Sequence, residues 1–177
     1  MMMVSKRWFD RKFALRLPPE EFPALLERLR STHTRIVEMV RPVEPAVLIH
    51  RQHESWSIQE HVGHLIDLEP LWKGRLEGLL LGAKTLEAAD LQNRKTNEAR
   101  HNERRIEDLL DSFRAAREAL VERLGGVTDP QLFHEAPHPR LNEPMNVTGL
   151  CFFVAEHDDH LLAAMQSRIS IEPGPER

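Results

Sequence analysis

The stretch SIQEHVGHLIDLEPLWKGRLEGLLLG, residues 57–82, decides the fold. Ser57 followed by Glu60 has the form of a capping box, and Gly82 supplies a stop, so the segment predicts one long helix. Ile58, Leu65, Leu68, Trp72 and Leu79 recur at helical spacing and define its buried stripe. Pro70 lies inside and removes one backbone donor, which predicts a kink. His61 falls within the stripe, and His64 lies on its flank beside Leu68 and Leu71.

Three further segments carry the same periodicity. The first runs from about Pro19 to Val43, opens on prolines and acids, and aligns Phe22, Leu25, Leu26, Leu29, Ile36 and Val40. The third covers about Asn102 to Leu124 and is stopped by Gly125 and Gly126. The fourth covers about Asn146 to Ile169. Four long helices with almost no strand-like alternation predict an all-α fold, an antiparallel four-helix bundle of the up-and-down kind. Residues 1–18 form an N-terminal arm whose Trp8, Phe9 and Phe13 pack across it, and residues 170–177 a frayed tail.

Composition bounds what such a bundle does. The 177 residues suit one domain, 41% of them are hydrophobic, and the formal net charge is −4. An acidic balance of this kind lacks the basic field that nucleic acid requires. Cys151 is the single cysteine, so no intrachain disulfide forms. The N-terminus lacks the apolar core of a secretory signal, and no stretch approaches the roughly 20 apolar residues of a membrane span. These features predict a cytoplasmic protein with neither nucleic acid nor membrane as partner.

The fourth helix carries the chemistry, in FFVAEHDDHLLAAM, residues 152–165. At about 100° per residue, Val147, Leu150, Val154, Leu161, Ala164 and Met165 share a face. His157 lies within that face and His160 on its edge beside Phe153. Glu156 falls further round, and Asp158 and Asp159 are read as solvated or helix-start charges. Cys151 sits roughly 120° from His157, which disfavours it as ligand or nucleophile. Two helices thus present imidazoles to one interior, the way bundles build metal sites. Any one of these histidines is as readily a core residue bonded to a neighbour, and His61 leans on Glu60 in that reading. His33, His50, His53 and His134 read as surface or loop residues, and Trp56 and Trp72 as core or wall.

The segments WSIQEHVGHLIDLEPLWKGRL, ADLQNRKTNEARHN, HPRLNEPMNV and FFVAEHDDHLL together resemble the DinB/YfiT-like superfamily of metal-dependent enzymes. The resemblance spans about Trp8 to Ile169. It implies a four-helix bundle, often dimeric, with a divalent metal held by one residue of the second helix and two of the last. The histidine of GHL corresponds to His64, and His157 to the first ligand of the last helix. Relatives of this kind read EHDDHHLA where this chain reads EHDDHLLA, so Leu161 stands where the third histidine is expected. The ligand set implied is His64, His157 and His160, since residues three apart on a helix are neighbours. Glu156 with His160 is the reserve, resembling the Glu-x-x-x-His arrangement of the thiol-dependent isomerase branch.

A divalent ion so held, Zn, Ni, Mn or Fe, activates water or polarises a carbonyl or thiol. The resemblance therefore implies a metal-dependent hydrolase or a low-molecular-weight-thiol transferase acting on a small-molecule substrate. Leu161 keeps open a metal-degenerate bundle that binds without catalysis. Asn93, Lys95, Asn97, His101, His138 and Arg140 are candidate substrate contacts, or equally loop-capping residues. The resemblance, with Leu79, Leu80 and Leu81 at a helix end, predicts a homodimer.

Overall fold

The computed structural model describes residues 7–170; the expected tail lies outside them apart from Ser170. Four long helices account for most of it: α1 (Phe22–Val40), α3 (Ile58–Leu80), α5 (Ile106–Gly125) and α6 (Val147–Ile169). Short helices α2 (Pro45–Leu48) and α4 (Arg94–Glu98) lie in the first two connections. The third holds a hairpin of β1 (Glu135–Pro137) and β2 (Pro144–Asn146), in which Ala136 faces Met145. No described helix is long and apolar enough to cross a membrane.

The expected starts of the second and fourth helices are built as their residues dictate, whereas the third begins at Ile106 rather than about Asn102. Ser57 accepts a hydrogen bond from the Glu60 amide at 3.1 Å, and Glu60 accepts one from the Ser57 amide at 2.9 Å. Two backbone donors at the helix start are thereby satisfied. Arg51 holds the same Glu60 carboxylate with Nε at 2.8 Å. Pro70 leaves α3 unbroken. Asn146 caps α6 by accepting from the Gly149 amide at 2.8 Å.

Asn146 also ties down the arm. Its side chain donates to the Leu17 carbonyl at 2.8 Å, and its amide donates to the Leu15 carbonyl at 3.0 Å. The arm's Trp8 then packs 4.7 Å from the Phe13 ring and 5.2 Å from Phe153 on α6.

Neighbour relations differ from the simple up-and-down expectation. α1 packs on α5 and α6, and α3 packs on the same two, so α1 and α3 face each other across the diagonal. The connections 41–57, 81–105 and 126–146 are long, so consecutive helices are free to pack on others. Each fully buried leucine or isoleucine contributes about 1.5–3 kcal/mol by leaving water.

The core is divided. One apolar cluster holds Leu29, Trp72, Leu76, Leu120 and Phe153; the other holds Ile36, Leu65, Phe113, Leu161 and Met165. Between them each long helix contributes one polar side chain. Arg117 of α5 donates to Asp158 of α6 at 2.6 and 3.1 Å and to Glu69 of α3 at 2.6 and 3.1 Å. Thr32 of α1 donates to Asp158 at 2.8 Å. All four are at most 3% exposed. Burial alone would discharge Arg117, but the two carboxylates outweigh it and raise its pKa.

This corrects the reading of Asp158 as solvated. Its position, one turn beyond Val154 and one before Leu162, places it in the α6 apolar stripe. Asp159 next to it is half-exposed and pairs with Arg28 and Arg35 of α1, both at 2.7 Å. Of the leucines behind the dimer expectation, Leu79 lies in the core and Leu81 is exposed.

Candidate functional site

Beside the polar layer a cavity of about 390 Å³ opens between α3, α6, the arm and two connecting loops. His64, His157, His160 and Leu161 all border it, with Trp8, Trp56, Trp72 and Phe153 as aromatic wall. The His64 and His157 rings lie 5.6 Å apart between centroids.

His64 is oriented by a chain of hydrogen bonds from the second connection. Thr96 of α4 donates its only hydroxyl proton to Asp67 at 2.9 Å. Its oxygen, 2.9 Å from His64 Nδ1, must then accept, so His64 carries its proton on Nδ1 and leaves the Nε2 lone pair free. Asp67 also accepts from His101 Nε2 at 2.8 Å. Burial opposes the Asp67 charge, but the His101 and Thr96 hydrogen bonds outweigh it and hold its pKa below the ordinary value.

Gly63 makes that chain possible. A Cβ there would sit 2.2 Å from the His101 ring, so only glycine lets the imidazole lie against α3. Arg100, just before His101, adopts φ +51°, a left-handed conformation that a side chain makes costly. The second connection is thus bent to deliver His101.

His157 is 7% exposed, and its buried Nδ1 has no hydrogen-bond partner among the described residues. Burial, then the neighbouring His64 and His160, push its pKa well below the ordinary value. Burial likewise brings His64 down to about 4 and lowers His160. Each shift favours the neutral imidazole, the form that ligates a metal.

His160 is not brought in with the other two. Trp8 contacts both sides, 5.0 Å from the His157 ring and 5.5 Å from the His160 ring. Among the described residues no three histidine, cysteine or carboxylate groups are placed to hold one ion. Leu161 borders the cavity one turn beyond His157 and offers no donor.

Glu156, the reserve ligand, is committed elsewhere. It pairs with Arg11 of the arm and with Arg28 of α1 at 3.0 Å. His61 donates Nδ1 to the Ser57 carbonyl at 2.7 Å, not to Glu60. Cys151 is fully buried, which pushes its thiol up to about 12.

The candidate contacts divide. Asn93, His138 and Arg140 border the cavity. Asn97 accepts from the Trp56 indole at 2.9 Å, and Lys95 lies 3.8 Å from Asp67. His101 serves the orienting chain.

Sequence reasoning missed Thr96, Asp67 and Arg75. Asp67 carried a signal, three residues after His64 on the same helix. Arg75 carried another, a charge one turn beyond Leu71 and Trp72.

The first and second long helices lie on the diagonal of a four-helix bundle, and histidines of two adjacent helices edge one cavity. The chain belongs to the DinB superfamily, whose pattern it matches over residues 28–165. Its fold is similar to that of YfiT from Bacillus subtilis, described as a probable metal-dependent hydrolase with an unusual four-helix bundle topology. That likeness has a TM-score of 0.74 at 17% identity and covers 89% of this chain and 91% of that one. The mycothiol-dependent maleylpyruvate isomerase is similar at a TM-score of 0.64 and 12% identity, over 82% of this chain and 60% of that one. No curated protein sequence gives a significant match.

Proposed function

We propose that the cavity is the active site of a metal-dependent enzyme acting on a small molecule, a hydrolase or a low-molecular-weight-thiol transferase. The observation that carries this reading is the Thr96–Asp67–His101 chain. It fixes the His64 tautomer and leaves the Nε2 lone pair free, in a ring 5.6 Å from that of His157, whose Nδ1 is buried without a partner among the described residues. Metal-binding histidines are oriented in this way by a hydrogen bond on the opposite ring nitrogen. The donor chemistry of His64 and His157 suits a divalent ion, Zn, Ni, Mn or Fe, and His160 would have to turn past Trp8 to join them as third ligand. Such an ion supplies Lewis acidity and lowers the pKa of bound water or thiol.

The chain's own residues do the rest. Trp8, Trp56 and Trp72 wall the chamber and keep bulk water from the substrate. Asp67 holds His64 in its ligating tautomer through Thr96. The likeness to a hydrolase and to a thiol-dependent isomerase supports both reaction classes. A homodimer remains part of the proposal, tested by light scattering at micromolar concentration, where a monomeric mass speaks against it.

Metal analysis of tag-free protein, before and after incubation with Zn²⁺, Ni²⁺ and Mn²⁺, tests the assignment. Uptake of one ion per chain that His64→Ala abolishes supports it, and full uptake by His64→Ala refutes it. A second reading, a bundle that binds its ligand without metal, is favoured by Leu161 in the cavity wall. Protein that neither carries nor takes up a divalent ion would establish that one.

A further inference from the structure

One end of the cavity collects two arginines, Arg75 and Arg140, that form no ion pair with any carboxylate among the described residues. Arg75 of α3 is 2% exposed and borders the cavity. Its Nε donates to the Glu87 carbonyl at 2.9 Å, and its guanidinium stands 5.4 Å from the Trp72 ring and 5.9 Å from the Phe153 ring. No carboxylate among the described residues lies within ion-pair distance of it; Glu87 acts on it only from further away. Arg117, equally buried, has Glu69 and Asp158. A buried guanidinium without a counterion is costly, and burial brings its pKa down to about 10.

Two more donors converge on the same end. His138 is 2% exposed, and its Nδ1 accepts from the amides of Arg140 and Leu141, both at 3.2 Å. Its proton therefore sits on Nε2, which is buried and has no acceptor. Arg140, in the same loop, has a buried Nη2 without an acceptor. The hairpin holds this loop in place: the His138 amide donates to the Glu143 carbonyl and the Asn142 amide to the His138 carbonyl, each at 2.9 Å. Two guanidinium groups and one imidazole thus belong to residues bordering one chamber, and Arg140 Nη2 and His138 Nε2 have no acceptor among the described residues.

We propose that this end of the cavity is an oxyanion subsite that takes the carboxylate of an apolar organic acid, held by Arg75, Arg140 and His138. The acid's apolar body lies along Trp72 and Phe153, one ring from His157. A carboxylate fits better than a phosphate ester. Arg75 has spent Nε and offers the remaining edge of its fork to a planar group, and Asp90 at the cavity border repels a second negative charge. The inference rests on the cavity being the substrate chamber and adds the class of substrate.

Calorimetric titration of EDTA-treated, tag-free protein with phenylacetate, phenylacetamide and phenyl phosphate tests it. Phenylacetate is expected to bind saturably and the neutral amide about tenfold more weakly or worse. Arg140→Gln and His138→Ala should each weaken phenylacetate several-fold and leave the amide unchanged. Arg75→Met should do so more strongly if it folds, and the other two variants carry the test if it does not. Arg16→Gln, an exposed arginine outside the cavity, should change nothing. Equal affinity for acid and amide, no saturable binding of phenylacetate, or full affinity in both loop variants overturns the proposal. Tighter binding of phenyl phosphate overturns the carboxylate assignment. Because the titration is metal-free, its failure leaves the metal reading standing, and failure of metal uptake leaves this one standing.

Discussion

Two adjacent aspartates of α6 have opposite fates, and replacing each by alanine separates them. Asp158 is fully buried and accepts three hydrogen bonds, two from Arg117 and one from Thr32. Removing one partner of a buried pair costs about 3–5 kcal/mol, because the other charge stays behind. Here Glu69 still holds Arg117 at 2.6 Å, so the lower end applies, about 3 kcal/mol. For a chain of this size each kcal/mol moves the melting temperature by about 2–4 °C, which gives a fall of about 6–12 °C. Asp159 pairs with two arginines at the surface, where ion pairs contribute about 0–1 kcal/mol. Urea unfolding followed by circular dichroism at 222 nm measures both variants under the same conditions. If Asp158→Ala costs no more than Asp159→Ala, the polar layer is not holding the helices together.

Leu161→His should raise affinity for a divalent ion by about tenfold or more by supplying the missing donor, read by calorimetry against the parent protein. His138 should remain neutral well below pH 6: burial, then Arg75 and Arg140, bring it down to about 4. Its folded pKa is depressed, so its stabilising contribution is complete above about pH 6.5 and is lost as the pH falls towards 4. A histidine ring resonance, assigned by His138→Gln, that titrates near pH 6.5 would contradict this. Gly63→Ala should force the His101 ring off α3, cost about 1–3 kcal/mol in chemical unfolding, and weaken metal uptake by freeing the His64 tautomer.

Features encoded locally were legible. The Ser57–Glu60 box spans four residues and needs nothing else, and the inward position of His157 follows from helical rotation alone. The hairpin was not legible: strands of three residues are too short for a period of two to register in the sequence, and a proline sits in each. Nor was the diagonal pairing of α1 and α3, because periodicity shows which face of a helix is apolar and not which helix covers it. His64 could be placed on its flank, but its tautomer depends on Thr96, which the chain returns to it by way of a distant loop.

The carboxylates of residues 156–159 show why charge alone misleads inside an apolar run. Glu156 faces outward to Arg11 and Arg28, Asp159 to Arg28 and Arg35, and Asp158 inward to Arg117 and Thr32. Each is neutralised by a cation from another element, so none is left to serve an imidazole or an ion. Together they clamp α6 on both sides of the position where His157 enters the cavity. Asp158 fixes the rotation of the helix from within, and the two outer acids fasten it to α1 and the arm. His157, whose Nδ1 has no hydrogen-bond partner among the described residues, is then held toward His64 by these ion pairs and by the packing of Trp8 and Trp72. The same clamp carries Trp8 onto His157 and His160, since Arg11 belongs to the same arm as that indole. Releasing Glu156 by Glu156→Gln should therefore loosen the arm before it disturbs the bundle, visible as a change in indole fluorescence at unchanged helicity. Unchanged fluorescence would mean that the aromatic contacts alone hold the arm in place.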